Sequence, residues 1–319
     1  MKSIWVYEAI SGGGLPDEGL HGADLLAQGL RMRDALVADL NLLSDYEVTV
    51  ASLDGLPRPP GRTRVVGPRA GEAALDFNAR QALRHDAAWV VAPETGGLLA
   101  ALQSVVGAPR WIGSGAAALR VASSKSQTTA CLAAAGIATP RAFDQPADGC
   151  HWIVKPDDGA GALDTRLFDS LAAALACQES RNAAGATAVL ERWVEGEALS
   201  LSLLCGGGRA ELLSVNRQHI GLGESGLLRF DGVTLNVTGK SDPRWPALQA
   251  SASRVATVIG GLRGFVGVDL VWHAERGPVL IEVNPRLTSA YVGLSAALRR
   301  NVAAAVLAVH ETEFAHARA

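Results

Sequence analysis

Two short apolar runs near the C-terminal end, GFVGVDLVW (Gly264 to Trp272) and GPVLIEVN (Gly277 to Asn284), each carry one acidic residue in otherwise uncharged sequence. Their Val, Leu and Ile content and the intervening Ala274-Glu275-Arg276-Gly277 predict a hairpin with a short loop. Pairing His273 with Pro278 sets Asp269 opposite Glu282, and side-chain alternation puts Glu282 and Asn284 on one face with Val283 on the other. Two carboxylates facing each other with Cβ atoms about 5 Å apart repel, and weaken a sheet unless positive charge lies between them. Mg²⁺ supplies it, since that ion prefers oxygen ligands and commonly takes one or two protein carboxylates together with substrate phosphates. A single carboxylate here would more simply pair with a surface Lys or Arg. The set of Asp269, Glu282 and Asn284, with Arg286 beyond, points instead to a metal-loaded nucleotide.

A chain of 319 residues suffices for two or three domains. With 48% apolar and 19% charged residues it is expected to be globular without a long disordered tail. A formal charge of −3, with Lys and Arg unclustered, argues against nucleic acid and for small-molecule partners. Cys131, Cys150, Cys177 and Cys205 are widely spaced and suggest neither a disulfide framework nor zinc, as in a reducing cytoplasm. MKSIWVYEAI places Glu8 inside its apolar run before a glycine cluster, so a strand and loop are expected rather than a signal peptide. The uncharged stretch from Thr95 to Pro109 is too short to cross a bilayer, and no membrane segment is expected.

In order, Ser3 to Ala9, Tyr46 to Leu53, Thr63 to Val66 and Ala87 to Val91 look like strands, with helices over Ala23 to Leu40 and Glu72 to Arg84. This alternation predicts a parallel sheet covered by helices over residues 1–115. Ligands of such sheets lie beyond the carboxyl ends of the strands. Glu8, Ser11 and Gly13 occupy that edge after the first strand and Glu94 after the fourth, either as solvated strand-end groups or as substrate contacts.

In SSKSQTTACLAAAGIATP, Ser123 or Ser124 is an expected N-cap, Gly136 a C′ residue and Pro140 a stop. Lys125 then sits in the first turn, where the helix dipole disfavours a cation unless an anion is held there. A bound phosphate and a solvated lysine are the two alternatives. HWIVKPDDGAGALDT is a strand ending at Lys155 and running into a loop in which Gly159 and Gly161 let backbone amides approach phosphates. A helix over Ser170 to Ala184 and a strand over Ala188 to Val194 come next. The break at Glu195-Gly196 leaves Glu191, Arg192, Trp193 and Val194 as an extended hinge able to offer main-chain groups to an adenine edge, with Glu197 reaching ribose hydroxyls. Asn216, Arg217 and Gln218 interrupt an apolar strand. A helix from Pro246 to Ile259, the hairpin, and a terminal helix from Ala290 to His310 complete the chain. Gly221-Leu-Gly223-Glu-Ser-Gly226 formally matches a dinucleotide fingerprint, but the adjoining LLRFDGVTLNV has strand character where that fingerprint requires a helix, so it is rejected.

Lys125, Lys155 with its glycine loop, the 191–197 hinge and Asp269/Glu282/Asn284, in this order, resemble the ATP-grasp superfamily. The resemblance implies an α/β chain that is α+β in its C-terminal half: an N-terminal parallel α/β domain (1–115), a small lid domain (116–188) and an antiparallel-sheet domain (189–319). It also implies ATP held between the last two, with Lys125 and Lys155 on its phosphates and Mg²⁺, or Mn²⁺ in its place, on the acidic set. YEAISGGG, PETGG, SVNRQ and EVNPRLTSAYVGL are similar to the tyramine-glutamate ligase family of methanofuran biosynthesis. That likeness implies an acyl-phosphate route to an amide, with glutamate and an aromatic amine, tyramine or tyrosine, as substrates, and Asn216 and Arg217 among the substrate contacts. Another acid and amine, or an ATP-binding regulator without chemistry, remain the alternatives, and the oligomeric state stays open, a homodimer included. Dipeptide ligases of the superfamily commonly carry Arg two residues before the first metal-binding Asp, where this chain has Gly267. Arg286 is therefore expected, with Lys155, to offset the reaction's negative charge.

Overall fold

The computed structural model describes residues 1–15, 19–143, 149–159 and 161–316. The turn expected over residues 11–19 therefore lies partly outside the described residues. Strands β1 (Lys2–Glu8), β2 (Tyr46–Ala51), β3 (Arg64–Val66), β4 (Ala87–Val91) and β5 (Trp111–Ile112) form a parallel sheet in the order β3-β2-β1-β4-β5. β1 and β4 are apolar on both faces because helices cover both. Ile4 and Val6 pack with Met32 and Leu36 of α1 (Gly19–Asn41), whereas Trp5 and Tyr7 pack with Phe77 of α2 (Ala74–Ala82) and Leu99 of α3 (Leu98–Val106). The sequence alternation anticipated this sheet, but not α3 or the two-residue β5.

Two helices, α4 (Ala116–Ala122) and α5 (Lys125–Ala134), lead to a small antiparallel sheet. Its strands β6 (Trp152–Pro156), β7 (Arg166–Phe168) and β8 (Ala188–Arg192) run in the order β7-β6-β8. Helix α6 (Leu171–Ala183), capped by Ser170 Oγ, backs it. The third sheet joins β9 (Glu197–Gly206), β10 (Arg209–Leu222), β11 (Leu228–Thr238), β12 (Gly264–His273) and β13 (Gly277–Asn284), antiparallel in the order β11-β10-β9-β12-β13. Leu248, Ala252 and Val255 of α7 (Trp245–Val258) pack on one of its faces.

Two expectations change. The hairpin pairs His273 with Gly277 and Trp272 with Pro278, one residue from the expected register. A bulge next to Asp269 then takes up Ile281 as the extra residue, so Asp269 still faces Glu282. The single terminal helix is instead a 3₁₀ turn (Ser289–Tyr291), α8 (Leu294–Leu298) and α9 (Val302–His316). Gly293 and Arg299 take left-handed conformations, and Asn301 Oδ1 accepts the Ala304 N–H at 2.8 Å to begin α9 afresh. One apolar cluster runs from Ile4 and Leu36 through Phe265 to Val302 and Leu307, tying the first sheet to the third.

The step from β8 to β9 depends on Gly196. Its φ is 150°, and a Cβ there would lie 2.2 Å from the Trp272 carbonyl oxygen of β12. Gly196→Ala should therefore destabilise the protein by about 1–3 kcal/mol, the usual cost of overpacking, read as a lower urea midpoint at unchanged slope. An unshifted midpoint would show that the strand edge gives way without cost.

Candidate active site

A cleft opens between the small sheet and the third sheet, and most of the chemistry foreseen in the sequence borders it. Lys125, Lys155, Gly159, Gly161, Glu191 to Val194, Asp269, Glu282, Asn284 and Arg286 all line it. Its floor follows from strand register. Asn216, Ser200, Asp269 and Glu282 stand side by side on β10, β9, β12 and β13, forming one polar row across the sheet. The next row is Ser214, Ser202, Gly267 and Asn284. Gly267 carries no side chain because Thr288 fills the space: a Cβ would meet Thr288 Cγ2 at 2.7 Å. The arginine that dipeptide ligases carry at this position has no room here.

Burial and the neighbouring Glu282 charge push the Asp269 carboxyl up to about 7, against hydrogen bonds from Asn284 and Gln218 and the charge of Arg286. Asn284 Nδ2 donates to Asp269 Oδ2 at 3.2 Å. Among the described residues no set of three or more His, Cys, Asp and Glu is gathered to cage a metal. Two carboxylates beside an amide suit Mg²⁺, which draws its remaining ligands from phosphates and water.

Among the cations that line the cleft are Lys125, Lys155 and Arg286. Lys125, at the start of α5, is buried, donates to the Gly159 carbonyl at 2.9 Å and lies 3.5 Å from Glu282 Oε2. It is not the solvated lysine of the sequence alternatives, nor is the helix end open to a phosphate. Asp157 already occupies it: Oδ1 accepts the Ser126 N–H at 2.8 Å, and Oδ2 accepts Ser124 Oγ–H at 2.7 Å. Ser124 is the N-cap, its Oγ accepting the Gln127 N–H. Although burial opposes it, these hydrogen bonds hold the Asp157 pKa below the ordinary carboxylate value. Lys155, also buried, pairs with Glu191 at 2.7 Å. The Arg286 guanidinium donates to Glu94 Oε2 at 2.8 Å.

Several expected contacts lie elsewhere. Glu197 does not line the cleft; Arg217 and Arg244 hold its two oxygens at 2.7 and 2.6 Å. Arg217 is thereby engaged away from the cleft. Asn216 is buried as a cross-strand brace, donating to Ser202 Oγ at 3.1 Å and accepting the Asn236 N–H. The cleft residue of that segment is Gln218, two positions on and on the same strand face. Glu8 is buried rather than solvated and accepts the Ile10 and Ser11 amides at 3.1 and 2.8 Å, closing its own loop. Neither it nor Ser11 and Gly13 border the cleft. Residues not singled out in the sequence do border it: Gln28 and Met32, one turn apart on α1, and the apolar wall Ile220, Leu228, Phe230 and Val233 of the β10–β11 hairpin. A strand partner two residues from Asn216 was legible by parity; a helix in another sheet's cover was not. The tip of that hairpin is the rejected fingerprint, a 3₁₀ turn between two strands.

A family model described as ATP-grasp domain matches residues 122–290, and one described as pre ATP-grasp 3 domain matches residues 46–119. The chain belongs to the ATP-grasp family. Two tyramine–L-glutamate ligases, from Methanocaldococcus jannaschii and Methanocaldococcus fervens, are each 29% identical to it over 211 residues, 66% of this chain. The match covers 58% and 61% of those two proteins, so the chain spans about three-fifths of their length. An ATP-grasp superfamily protein from Archaeoglobus fulgidus superimposes with a TM-score of 0.74 at 23% identity, covering 97% of this chain and 88% of that one. No helix among the described residues is long and apolar enough to cross a membrane.

Asp157 links the ATP-grasp glycine loop to the start of α5, and Asp157→Ala should cost about 1–3 kcal/mol, as for a lost charged cap. Its folded pKa is depressed. Its contribution is therefore full above the ordinary carboxyl value near pH 4 and is lost as pH falls through the lower folded value. Urea midpoints of the two proteins should differ clearly at pH 7 and converge under strongly acidic conditions; a gap independent of pH would refute the capping role.

Proposed function

We propose that this chain is an ATP-dependent carboxylate–amine ligase that joins the γ-carboxylate of glutamate to the amine of tyramine or tyrosine. The observation that carries it is the polar row ending in Asp269 and Glu282, with Asn284, Lys125 and Arg286 around it in a cleft that also holds the Lys155 glycine loop. The named activity of the 29%-identical relatives supports the choice of acid and amine.

In this scheme a γ-carboxylate oxygen attacks the terminal phosphorus of ATP, ADP leaves, and an acyl phosphate forms. The amine nitrogen then attacks the acyl carbon, phosphate departs, and the nitrogen loses a proton to give the amide. Mg²⁺ or Mn²⁺, when bound, offsets charge on the phosphates. Lys125 and Lys155 hold phosphate oxygens, main-chain groups of Glu191 to Val194 hold the adenine edge, and Arg286 faces charge developing on the transferring group. The wall of Ile220, Leu228, Phe230 and Val233 excludes water, which would otherwise hydrolyse the acyl phosphate, and offers apolar surface to flat rings.

ADP and phosphate release in the presence of Mg²⁺-ATP should be stimulated by glutamate together with tyramine or tyrosine, and not by either partner alone. Glu282→Gln should lower turnover at least about a hundredfold, by loss of metal-borne charge stabilisation. Its ligand-free melting temperature should hold or rise, because one of two facing like charges is gone. Release driven only by an unrelated acid and amine would sink the substrate assignment; metal-nucleotide binding that no substrate pair converts to ADP would sink the ligase.

A further inference from the structure

Arg286 is drawn by carboxylates on two sides. Asp269 and Glu282 line the same cleft and act on its charge from one side, and Glu94, presented by the turn after β4 of the first sheet, acts from the other. Glu94 is the one it contacts, at 2.8 Å, with both side chains buried. Arg286 Nη1 also donates to the Leu287 carbonyl at 3.1 Å, a neutral partner that leaves the charge to Glu94. The pair is not a two-pronged fork. Arg286 Nε and Glu94 Oε1 are buried without hydrogen-bond partners among the described residues, so the guanidinium can turn.

We infer that Glu94 is a positioning residue that holds Arg286 off the Asp269–Glu282 pair and so keeps that pair open to a divalent cation. Once Glu94 is neutral, Arg286 keeps the Leu287 carbonyl but loses the carboxylate it contacts. A buried guanidinium left unpaired is costly, and the nearest relief is a salt bridge to Glu282 or Asp269. That bridge would take the oxygens the metal needs. Glu94 thus acts on the metal only through Arg286, which separates it from the substrate contact considered from its sequence position. The turn carrying it is fixed from the lid side as well, since the Gly96 N–H donates to Asp158 Oδ2 at 2.8 Å. Docking of the glycine loop and placement of Arg286 therefore share one short segment, Glu94 to Gly96.

The inference rests on the metal-nucleotide reading of the cleft, and its test is built to fail separately from it. Mn²⁺ binding to the protein with ADP present is measured directly, by calorimetry or by the loss of the free-ion electron paramagnetic resonance signal. The proteins are wild type, Glu94→Gln, Glu94→Asp, Arg286→Met and the double variant Glu94→Gln/Arg286→Met. Glu94→Gln should weaken Mn²⁺ about tenfold, and the same change in the Arg286→Met background should have little effect, a coupling of the size found between contacting residues. Glu94→Asp should recover part of the affinity. Equal weakening in both backgrounds, or none in either, overturns the positioning role, even where turnover falls. A wild-type protein that binds no Mn²⁺ with ADP removes the metal-nucleotide reading itself. The Arg286→Met pair keeps the test decisive where Glu94→Gln alone folds poorly, because the double variant leaves no unpaired buried charge.

Discussion

Repulsion between two half-buried carboxylates organises the cleft. Asp269 and Glu282 are held opposite each other by a bulge, on two strands that are largely apolar. Such a pair is tolerated only where cations are brought to it, and the chain brings them from places far apart in sequence: Lys125 from the start of α5 and Arg286 from just beyond β13. Each cation also has an anchor outside the acidic pair. Lys125 is tied to the Gly159 carbonyl, Arg286 to Glu94, and Lys155 to Glu191. Fixed in this way, the positive charge surrounds the acidic pair without collapsing onto it. Preorganised charge of this kind is what phosphoryl transfer asks of a protein, because little covalent work falls to side chains.

The parts of this arrangement legible in the sequence were those set by local periodicity. Alternation along a strand fixed which side of β13 carries Glu282 and Asn284, and cap chemistry fixed where α5 begins and ends. The bulge at Ile281 was not legible, since it takes no special residue; two register errors cancelled, and Asp269 met Glu282 all the same. Charged residues at strand edges were the least legible of all. Glu197 and Arg217 stand where a ligand contact would be expected, yet they neutralise each other, and the partner that completes their network, Arg244, lies on a connection well separated in sequence. Asp157 takes the place at the start of α5 that a phosphate could equally fill. A carboxylate from the chain and a phosphate satisfy the same amides, and composition alone does not separate them.

The third sheet also shows how polar residues enter a strand without disrupting it. Asn216 spends its hydrogen bonds on Ser200, Ser202 and Ser214, across β9 and β10, and on the Asn236 amide of β11. Ser200 and Ser202, alternating with leucines along β9, are therefore the other half of this brace. A buried polar network is costly unless complete, and this one sits directly beside Asp269 in the same row. Its effect is to hold β9, the strand next to Asp269, firmly against β10 and β11.

The small sheet is attached to this floor in a different way. Its core is a separate cluster of Trp152, Val154, Ala174 and Ala188. Its connections to the other sheets run through directional polar contacts: Asp158 to the Gly96 amide, the Leu228 amide to the Thr165 carbonyl at 2.8 Å, and Arg166 to the Ser225 carbonyl at 2.6 Å. Each such bond is worth about 0.5–1.5 kcal/mol net, and breaking it exposes no shared apolar core. The attachments are also uneven. Directly after β6, Asp157 is bound to α5 through its main-chain oxygen and both carboxylate oxygens, whereas among the described residues the β7 edge meets the third sheet at the hairpin tip. The end of β6, fixed to α5 and to Lys125, is therefore the firm attachment of the small sheet, and the contact between β7 and the hairpin tip is the weaker one.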